Sequence, residues 1–167
     1  MDFIIDAVKS NCTVGEINEV LSDSFGTWVS PSGVKMTKID HIGIATKSIP
    51  DSLPFWEALG FTPSGGGLVE DQGVNVRYLV NESDTRIELL EPTSPSTPVG
   101  KFIQKKGVGI QQLAISVGDV SETISKLLEM GIRMINTEPQ IGHGGNKIAF
   151  VHPSSSGGVL IELVEYV

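Results

Sequence analysis

An internal repeat constrains the fold of this 167-residue chain more than any other feature of its sequence. Residues 40–45 (DHIGIA) match residues 111–116 (QQLAIS) at an offset of 71, and residues 86–90 match residues 160–164 at an offset of 74. The first offset continues without a gap through the pairs Trp56–Leu127, Leu59–Met130 and Gly60–Gly131. Two modules with the same order of elements are therefore predicted.

Each module is predicted to fold as a strand, an amphipathic helix and three further strands. A short apolar strand opens the copy, apolar residues then recur at helical spacing, and a glycine ends the helix. Strand-like stretches at residues 74–80 and 147–151 precede the last strand of each copy. The predicted fold class is α+β, in which two βαβββ modules form a curved mixed sheet around a cleft, after a helical extension at the N-terminus.

Strand alternation brings four polar side chains to the cleft face of this sheet. In the first strand, Ile42 and Ile44 point towards the helix, so the neighbouring imidazole points into the cleft. The same reasoning applied to the matching strands gives the full set: His41, Glu88, Gln112 and Glu162. Carboxylates between aliphatic neighbours are costly to bury unless they are paired or bind a metal ion.

These four side chains predict a metal-binding cleft. Imidazole nitrogen, amide oxygen and carboxylate oxygen are all ligands of divalent transition metals, and a mixed nitrogen and oxygen set suits cobalt, nickel, zinc or manganese. The alternative interpretation is that each side chain is solvated separately on an exposed sheet face. Four such residues at matching positions of a repeat favour the metal site.

Composition and charge exclude other classes of function. The chain has 12 basic and 20 acidic residues, a formal charge of −8 and no basic run, which argues against nucleic-acid binding. No apolar run approaches the roughly 18–20 residues that span a bilayer, so no membrane segment is expected. Because Cys12 is the single cysteine, it is predicted to be a packed side chain, and a reducing, cytoplasmic location is expected.

The N-terminal region is predicted to be a separate helical extension. Thr13 and Glu16 have the spacing of a capping box, and Gly26 is a stop signal after an amphipathic stretch. Residues 30–33 (SPSG) are typical of a linker. The predicted boundaries are therefore 1–35 for the extension and 36–167 for the repeat domain, with modules at about 37–92 and 107–167.

Residues 38–166 resemble the vicinal oxygen chelate superfamily and, within it, the methylmalonyl-CoA epimerases. The stretches that carry this resemblance are 39–45, 71–74, 87–92, 94–99 with 101–102, 138–142, 144–146, 152–153 and 158–163. The resemblance implies epimerisation of methylmalonyl-CoA at C2 through a metal-stabilised enolate. It also implies metal ligands at His41, Glu88, Gln112 and Glu162, a catalytic base at Glu162, and a divalent ion, with cobalt as the first expectation and zinc, nickel or manganese as alternatives.

The glycine-rich loop near residue 144 is the predicted substrate-binding segment. Its backbone amides are suited to an anionic group, and the predicted substrate-binding residues are Gly144, Gly145, Asn146 and Lys147. Because the expected acyl-CoA substrate is anionic and the chain is acidic, local cations are also needed, and Lys101, Lys105 and Lys106 are candidates.

Two departures from the family pattern affect these expectations. The chain has Gln111 and Gln112 where the family usually has two histidines, so the metal affinity or the choice of metal is open. Val76 occupies a position at which some family members carry a second acidic residue, so the acid on the opposite face of the substrate is also open, with Glu88 or a water molecule as candidates.

Other functions and partners follow from the same residues. A glyoxalase I-type lactoylglutathione lyase would use the same fold and metal, and a non-catalytic protein that sequesters small molecules would need no metal. Residues 12–17, with Phe25 and Gly26, resemble the C-terminal tail of acyl-CoA mutase large subunits, which implies association with a methylmalonyl-CoA mutase-type enzyme. A homodimer is expected from the behaviour of the superfamily.

Overall fold

The computed structural model describes residues 13–26, 33–34 and 36–167, and the chain divides into two compact units, Met1–Gly33 and Val34–Val167. The predictions for Cys12 and for most of the 30–33 linker lie outside the described residues. None of the helices described is long and apolar enough to cross a bilayer.

The first unit contains helix α1 (Val14–Phe25), whose ends are those that the sequence predicts. The Thr13 hydroxyl accepts a hydrogen bond from the Glu16 backbone at 3.2 Å, and the Thr13 backbone donates to the Glu16 carboxylate at 2.7 Å. This reciprocal pair satisfies two amides that a helix start leaves open. Gly26 ends the helix with a φ of 74°, a conformation that glycine adopts without strain.

The second unit contains the two predicted βαβββ modules. The first module consists of β1 (Met36–Ala45), α2 (Ile49–Ala58), β2 (Thr62–Val69), β3 (Val74–Val80) and β4 (Arg86–Pro92). Helix α3 (Pro98–Lys106) joins it to the second module, which consists of β5 (Gly109–Val117), α4 (Val120–Glu129), β6 (Gln140–Ile141), β7 (Lys147–Val151) and β8 (Leu160–Glu165). The predicted fold class is confirmed.

All eight strands described belong to one mixed sheet, in the order β2-β3-β4-β1-β5-β8-β7-β6. The first strand of each module pairs in parallel with the last strand of the same module, and β1 pairs with β5 antiparallel. The modules are therefore related by an approximate two-fold axis between β1 and β5. As a result, matching positions of the two copies lie side by side at the middle of the sheet.

Helices α2 and α4 cover one face of the sheet, as the alternation predicts. Ile42 and Ile44 pack with Leu53 and Trp56 of α2, and Ile115, Ile161 and Leu163 pack with α4. The opposite face is covered over the first module by α3, where Val99, Phe102 and Ile103 pack on Ala45, Val74, Val76 and Leu90. Strand alternation places Ala45 on the cleft face, where α3 buries it.

Two glutamates attach the module helices to the sheet. The Glu91 carboxylate accepts a hydrogen bond from the backbone of Ile49, the first residue of α2, at 2.6 Å. The Glu165 carboxylate accepts one from Val120, the first residue of α4, at 2.9 Å, and also pairs with Lys147 at 2.8 Å. Each follows a cleft glutamate by three residues, so the pleat directs it to the opposite face. The repeated Glu-x-x-Glu pattern thus serves the cleft and the helix start together.

We expect Glu165→Gln to lower the free energy of unfolding by about 0.5–2 kcal/mol at neutral pH, the usual range for losing a helix-start cap. Hydrogen bonds from Lys147 and the Val120 backbone lower the pKa of Glu165. The stabilisation is therefore complete above the carboxyl group's unfolded pKa of about 4.3 and disappears as the pH falls through the lower folded value. Urea unfolding at pH 7 and pH 3 measures this difference.

The control for this prediction is Glu129→Gln at the exposed C-terminal end of α4. It should leave the unfolding free energy unchanged or slightly raised, because a negative charge is unfavourable there. A loss in Glu165→Gln that persists undiminished at pH 3 would contradict an electrostatic role for Glu165.

Candidate metal centre and active site

The sheet register brings the four predicted side chains together in two equivalent rows. In one row, Gly43 of β1 lies between Gln112 of β5 and Glu88 of β4. In the other, Ala114 of β5 lies between His41 of β1 and Glu162 of β8. Each row therefore places a small residue between a nitrogen-bearing side chain and a glutamate, and the two-fold axis relates the rows.

Gly43 makes room for this arrangement. A Cβ atom at Gly43 would lie 2.5 Å from Cγ of Gln112, which is closer than real contacts allow. The Gln112 side chain can therefore extend across the strand towards the carboxylates only because this position carries no side chain. The larger residue in the matching position, Ala114, is completely buried.

The four side chains are buried and in mutual contact. Nε2 of His41 lies 3.2 Å from Oε2 of Glu88 and 3.4 Å from Oε2 of Glu162. Nε2 of Gln112 donates to Oε2 of both carboxylates, at 3.2 Å to Glu88. The four predicted ligands thus converge, although the site-residue assignment itself stays a prediction.

The donor set fits a divalent metal ion. Nε2 of His41 is shielded from solvent and makes no hydrogen bond within the described residues. It shares a space with two buried carboxylates, and donor atoms of His41, Glu88 and Glu162 lie within 4.8 Å of one another. One imidazole and two carboxylates at this spacing are a donor set that divalent ions accept.

The same contacts control the charges of the cluster. Burial alone would lower the pKa of His41, but the hydrogen bond to Asp40 and the nearby carboxylates of Glu162 and Glu88 outweigh it and raise that pKa to about 11. Burial, and then the charge of Glu88, raise the pKa of Glu162 against the opposing effect of His41. Without a cation, the imidazolium therefore supplies the positive charge that two buried carboxylates require.

A chain of hydrogen bonds behind the cluster fixes the orientation of the imidazole. The Asp40 carboxylate accepts from Nδ1 of His41 at 2.8 Å and from the Tyr166 hydroxyl at 2.8 Å, and Arg86 donates to that hydroxyl at 3.2 Å. Burial alone would raise the pKa of Asp40. The hydrogen bonds from His41 and Tyr166 outweigh this effect, so the pKa lies below its usual value. An ionised Asp40 holds the proton on Nδ1 and leaves Nε2 for a metal ion.

We expect Asp40→Asn to weaken divalent-ion binding by about 10- to 100-fold, the usual effect of removing a carboxylate behind a metal-bound histidine. The affinity is measured by competition with a chelator indicator. Tyr166→Phe removes one donor to Asp40 and leaves the carboxylate, so it should weaken divalent-ion binding less than Asp40→Asn does. Equal affinities for Asp40→Asn and the unmodified protein would show that His41 needs no such partner.

The cluster lies at the middle of a trough with two different ends. A cavity of about 450 Å³ occupies the end where β1 and β4 begin, and a second cavity of about 270 Å³ occupies the end where β5 begins. Glu162 and Tyr78 line both cavities. The Tyr78 ring meets the His41 ring edge-on with centroids 6.1 Å apart, and burial and the charge of Glu88 raise the pKa of Tyr78.

The predicted substrate-binding residues are divided between two faces. Gly144 and Asn146 line the larger cavity together with His41 and Glu162. Lys147 lies on the helix side of β7, where it pairs with Glu165, and Gly145 lines neither cavity. Neither Gly145 nor Lys147 lines a cavity of the trough, and their roles in substrate binding stay predictions.

The site contains residues that were not predicted from the sequence. Asp40 precedes a candidate ligand and could have been found as a charged residue within a strand, whereas Tyr166 lies 126 positions away and carries no local signal. Gln111 was noted only as a departure from the family pattern. It falls within an irregularity of the β1–β5 register, between the pairs Gly43–Gln112 and Ile44–Ile110, which strict alternation does not predict.

Comparisons with known proteins identify the family. Residues 40–150 match the sequence model of the Glyoxalase/Bleomycin resistance protein/Dioxygenase superfamily. The chain belongs to this superfamily. The match runs from β1 into β7, and it confirms the resemblance inferred from the sequence. The resemblance of the N-terminal segment to mutase tails stays a prediction.

Two relatives each match more than three quarters of this chain. The uncharacterised protein YqjC of Bacillus subtilis is 38% identical over 131 residues, which is 78% of this chain and 93% of the relative. The mitochondrial methylmalonyl-CoA epimerase of Dictyostelium discoideum is 32% identical over 130 residues, which is 77% of this chain and 78% of the relative.

A solved structure from the same superfamily contains a coenzyme A ligand. It is a variant of Streptomyces coelicolor methylmalonyl-CoA epimerase in complex with 2-nitronate-propionyl-CoA. It is 35% identical to this chain with a TM-score of 0.74, and the match covers 80% of this chain and 96% of that one. The epimerase fold thus extends over the whole repeat domain.

Proposed function

We propose that this protein is an isomerase that epimerises methylmalonyl-CoA at C2. One observation carries the proposal: two buried carboxylates, Glu88 and Glu162, flank the same pair of nitrogen-bearing side chains at two-fold-related positions. Epimerisation requires a proton to leave one face of a carbon and return to the other, so a pair of acid–base groups suits it. The epimerase relatives support the same activity.

In this proposal Glu162 removes the C2 proton. Burial and the charge of Glu88 raise the pKa of Glu162, which makes it a stronger base than an exposed glutamate. Glu88 supplies the opposite group, because the neighbouring wall formed by Val76 and Leu90 is apolar and offers no proton. The Tyr78 ring lies edge-on against His41 and lines both cavities.

The divalent ion is proposed to be held by His41, Glu88, Gln112 and Glu162, with cobalt preferred over zinc, nickel or manganese. When bound, such an ion stabilises negative charge on the thioester oxygen of an enolate. Gln112 donates through its nitrogen to both carboxylates, so as a ligand it would present the amide oxygen in place of that nitrogen. Asp40 keeps the His41 ring oriented throughout.

Deuterium exchange at C2 of methylmalonyl-CoA in heavy water tests the proposal. We expect incorporation at C2 and interconversion of the two epimers, both dependent on added divalent metal. Exchange is followed by NMR and the epimer ratio by chiral analysis of the released acid. Absence of both C2 exchange and epimer interconversion with metal-loaded protein would overturn the proposal.

The glyoxalase and sequestering alternatives are not favoured by the relatives, whose characterised members here are epimerases.

Together with the epimerase activity, we propose the substrate class, the oligomeric state, the partner enzyme and the location of this protein. An acyl-CoA is the substrate, the protein is a homodimer, and it acts in the cytoplasm. Association with a mutase-type enzyme through the 1–35 extension is supported by the resemblance of that segment and by the exposed apolar side chains Val20 and Phe25 on α1. Size-exclusion chromatography with light scattering tests the dimer.

A further inference from the structure

The two ends of the trough differ in charge. The end at the start of β1 carries ionic side chains, and we refer to it as the charged end: Asp40, Asp84, Arg86 and Tyr166 line it. The other end, which we refer to as the amide end, is lined on its polar side by carboxamides beyond the glutamates of the cluster: Gln72, Gln111, Gln112, Asn136 and Gln140. Apolar side chains complete it: Val69, Val76, Leu90, Pro98, Val99, Ile135, Phe150 and Leu160.

Gln111 is a residue of the amide end whose carboxamide oxygen lacks a donor among the described residues. Its carboxamide oxygen is shielded from solvent and accepts no hydrogen bond within the part of the chain that the structure describes. The register irregularity in β5 places Gln111 beside Gln112 in the lining of the same cavity, an arrangement typical of bulges next to binding sites. A buried acceptor without a donor is energetically costly, so this oxygen is suited to a donor that arrives with a ligand.

We propose that the amide end holds the amide-bearing arm of the thioester substrate, with the Gln111 carboxamide oxygen accepting a hydrogen bond from an amide N–H of that arm. The inference rests on the proposed function for the thioester itself. An arm of secondary amides and methylene groups is neutral and partly apolar, which matches carboxamides set in apolar walls. The acyl group then extends from the amide end towards the cluster, since Glu88, Gln112 and Glu162 line the same cavity.

The position of α3 agrees with this orientation. Pro98 and Val99 at the start of α3 line the amide end, whereas Lys101, Lys105 and Lys106 are exposed along the rest of the helix. The seven residue steps of helix from Pro98 to Lys105 span about 10 Å. The phosphate groups that follow the amide arm in an acyl-CoA would thus meet the cationic end of α3, in a chain whose formal charge is −8.

Two small thioesters isolate the N–H. One is the methylmalonyl thioester of N-acetylcysteamine, and the other is the methylmalonyl thioester of 5-mercapto-2-pentanone, in which CH₂ replaces that N–H. For the unmodified protein we expect kcat/KM to favour the amide compound by about 10-fold or more, because the ketone leaves Gln111 unpaired. In Gln111→Met the preference for the amide compound should disappear, because kcat/KM falls for the amide compound and stays unchanged for the ketone compound. Gln104→Met, at an exposed position of α3 outside both cavities, should retain it.

A binding measurement separates this inference from the proposed function. Pantetheine is titrated into the unmodified protein and Gln111→Met, and the spectra are followed by NMR. Gln111-dependent binding without C2 exchange would support the inference and overturn the epimerase proposal. C2 exchange with an unchanged amide preference in Gln111→Met would overturn the inference and leave the epimerase proposal standing. Absence of both binding and exchange would overturn both.

Discussion

Changing Glu162 to glutamine is expected to lower the rate of proton exchange at C2 of methylmalonyl-CoA by about 10²- to 10⁴-fold, the usual contribution of a general base. Glutamine has the same shape, and it removes one of two neighbouring buried negative charges, so the fold should persist. Exchange is measured at saturating divalent metal, which separates the loss of the base from a loss of metal affinity. Circular dichroism verifies the fold.

The matched control is Glu165→Gln, three residues further along β8. The pleat places Glu165 on the helix face, where it contacts Val120 and Lys147, so this variant should lose stability but keep its exchange rate per folded molecule. If Glu162→Gln exchanged the C2 proton at the normal rate, Glu162 would not be the base. Glu88→Gln then becomes the decisive variant.

Divalent metal is expected to raise the melting temperature of the unmodified protein and to leave that of His41→Ala unchanged. An ion at about 100 times its Kd stabilises the folded state by about 2.7 kcal/mol, which shifts the melting temperature by several degrees for a domain of this size. His41 supplies the nitrogen donor of the cluster and the buried atom without a hydrogen bond. Differential scanning calorimetry with cobalt, zinc, nickel and manganese measures the shift and ranks the metals.

His152→Ala provides the control for the metal effect. His152 lies in the turn after β7 and bonds to Ser154, away from the cluster, so its removal should leave the metal-induced shift intact. An undiminished shift in His41→Ala would place the metal elsewhere on the protein.

The repeat made most of the fold predictable. Matching offsets of 71 and 74 gave the order of elements in both modules, and Gly60 and Gly131 end the helices where the pattern indicates. Helix α3 was not predicted, because it has no counterpart in the second copy. It packs Val99 and Phe102 on the sheet face that alternation alone assigns to the cleft.

The site was predictable where strand alternation holds. His41, Glu88 and Glu162 follow from the period of two, because a regular strand directs every second side chain to one face. Gln111 did not follow, because the register irregularity in β5 interrupts that period. Its presence in the amide end depends on the pairing of β5 with β1, which is a long-range contact.

The sequence by itself determined the two βαβββ modules, the family, and the donor types that face the cleft, because these depend on local periodicity and on residue identity. Only the tertiary structure decided that Asp40, Tyr166 and Arg86 support His41. It also decided that α3 closes one part of the trough and that the two ends of the trough differ in charge. These features depend on strand order and register, which bring distant residues into contact through hydrogen bonds that no local pattern encodes.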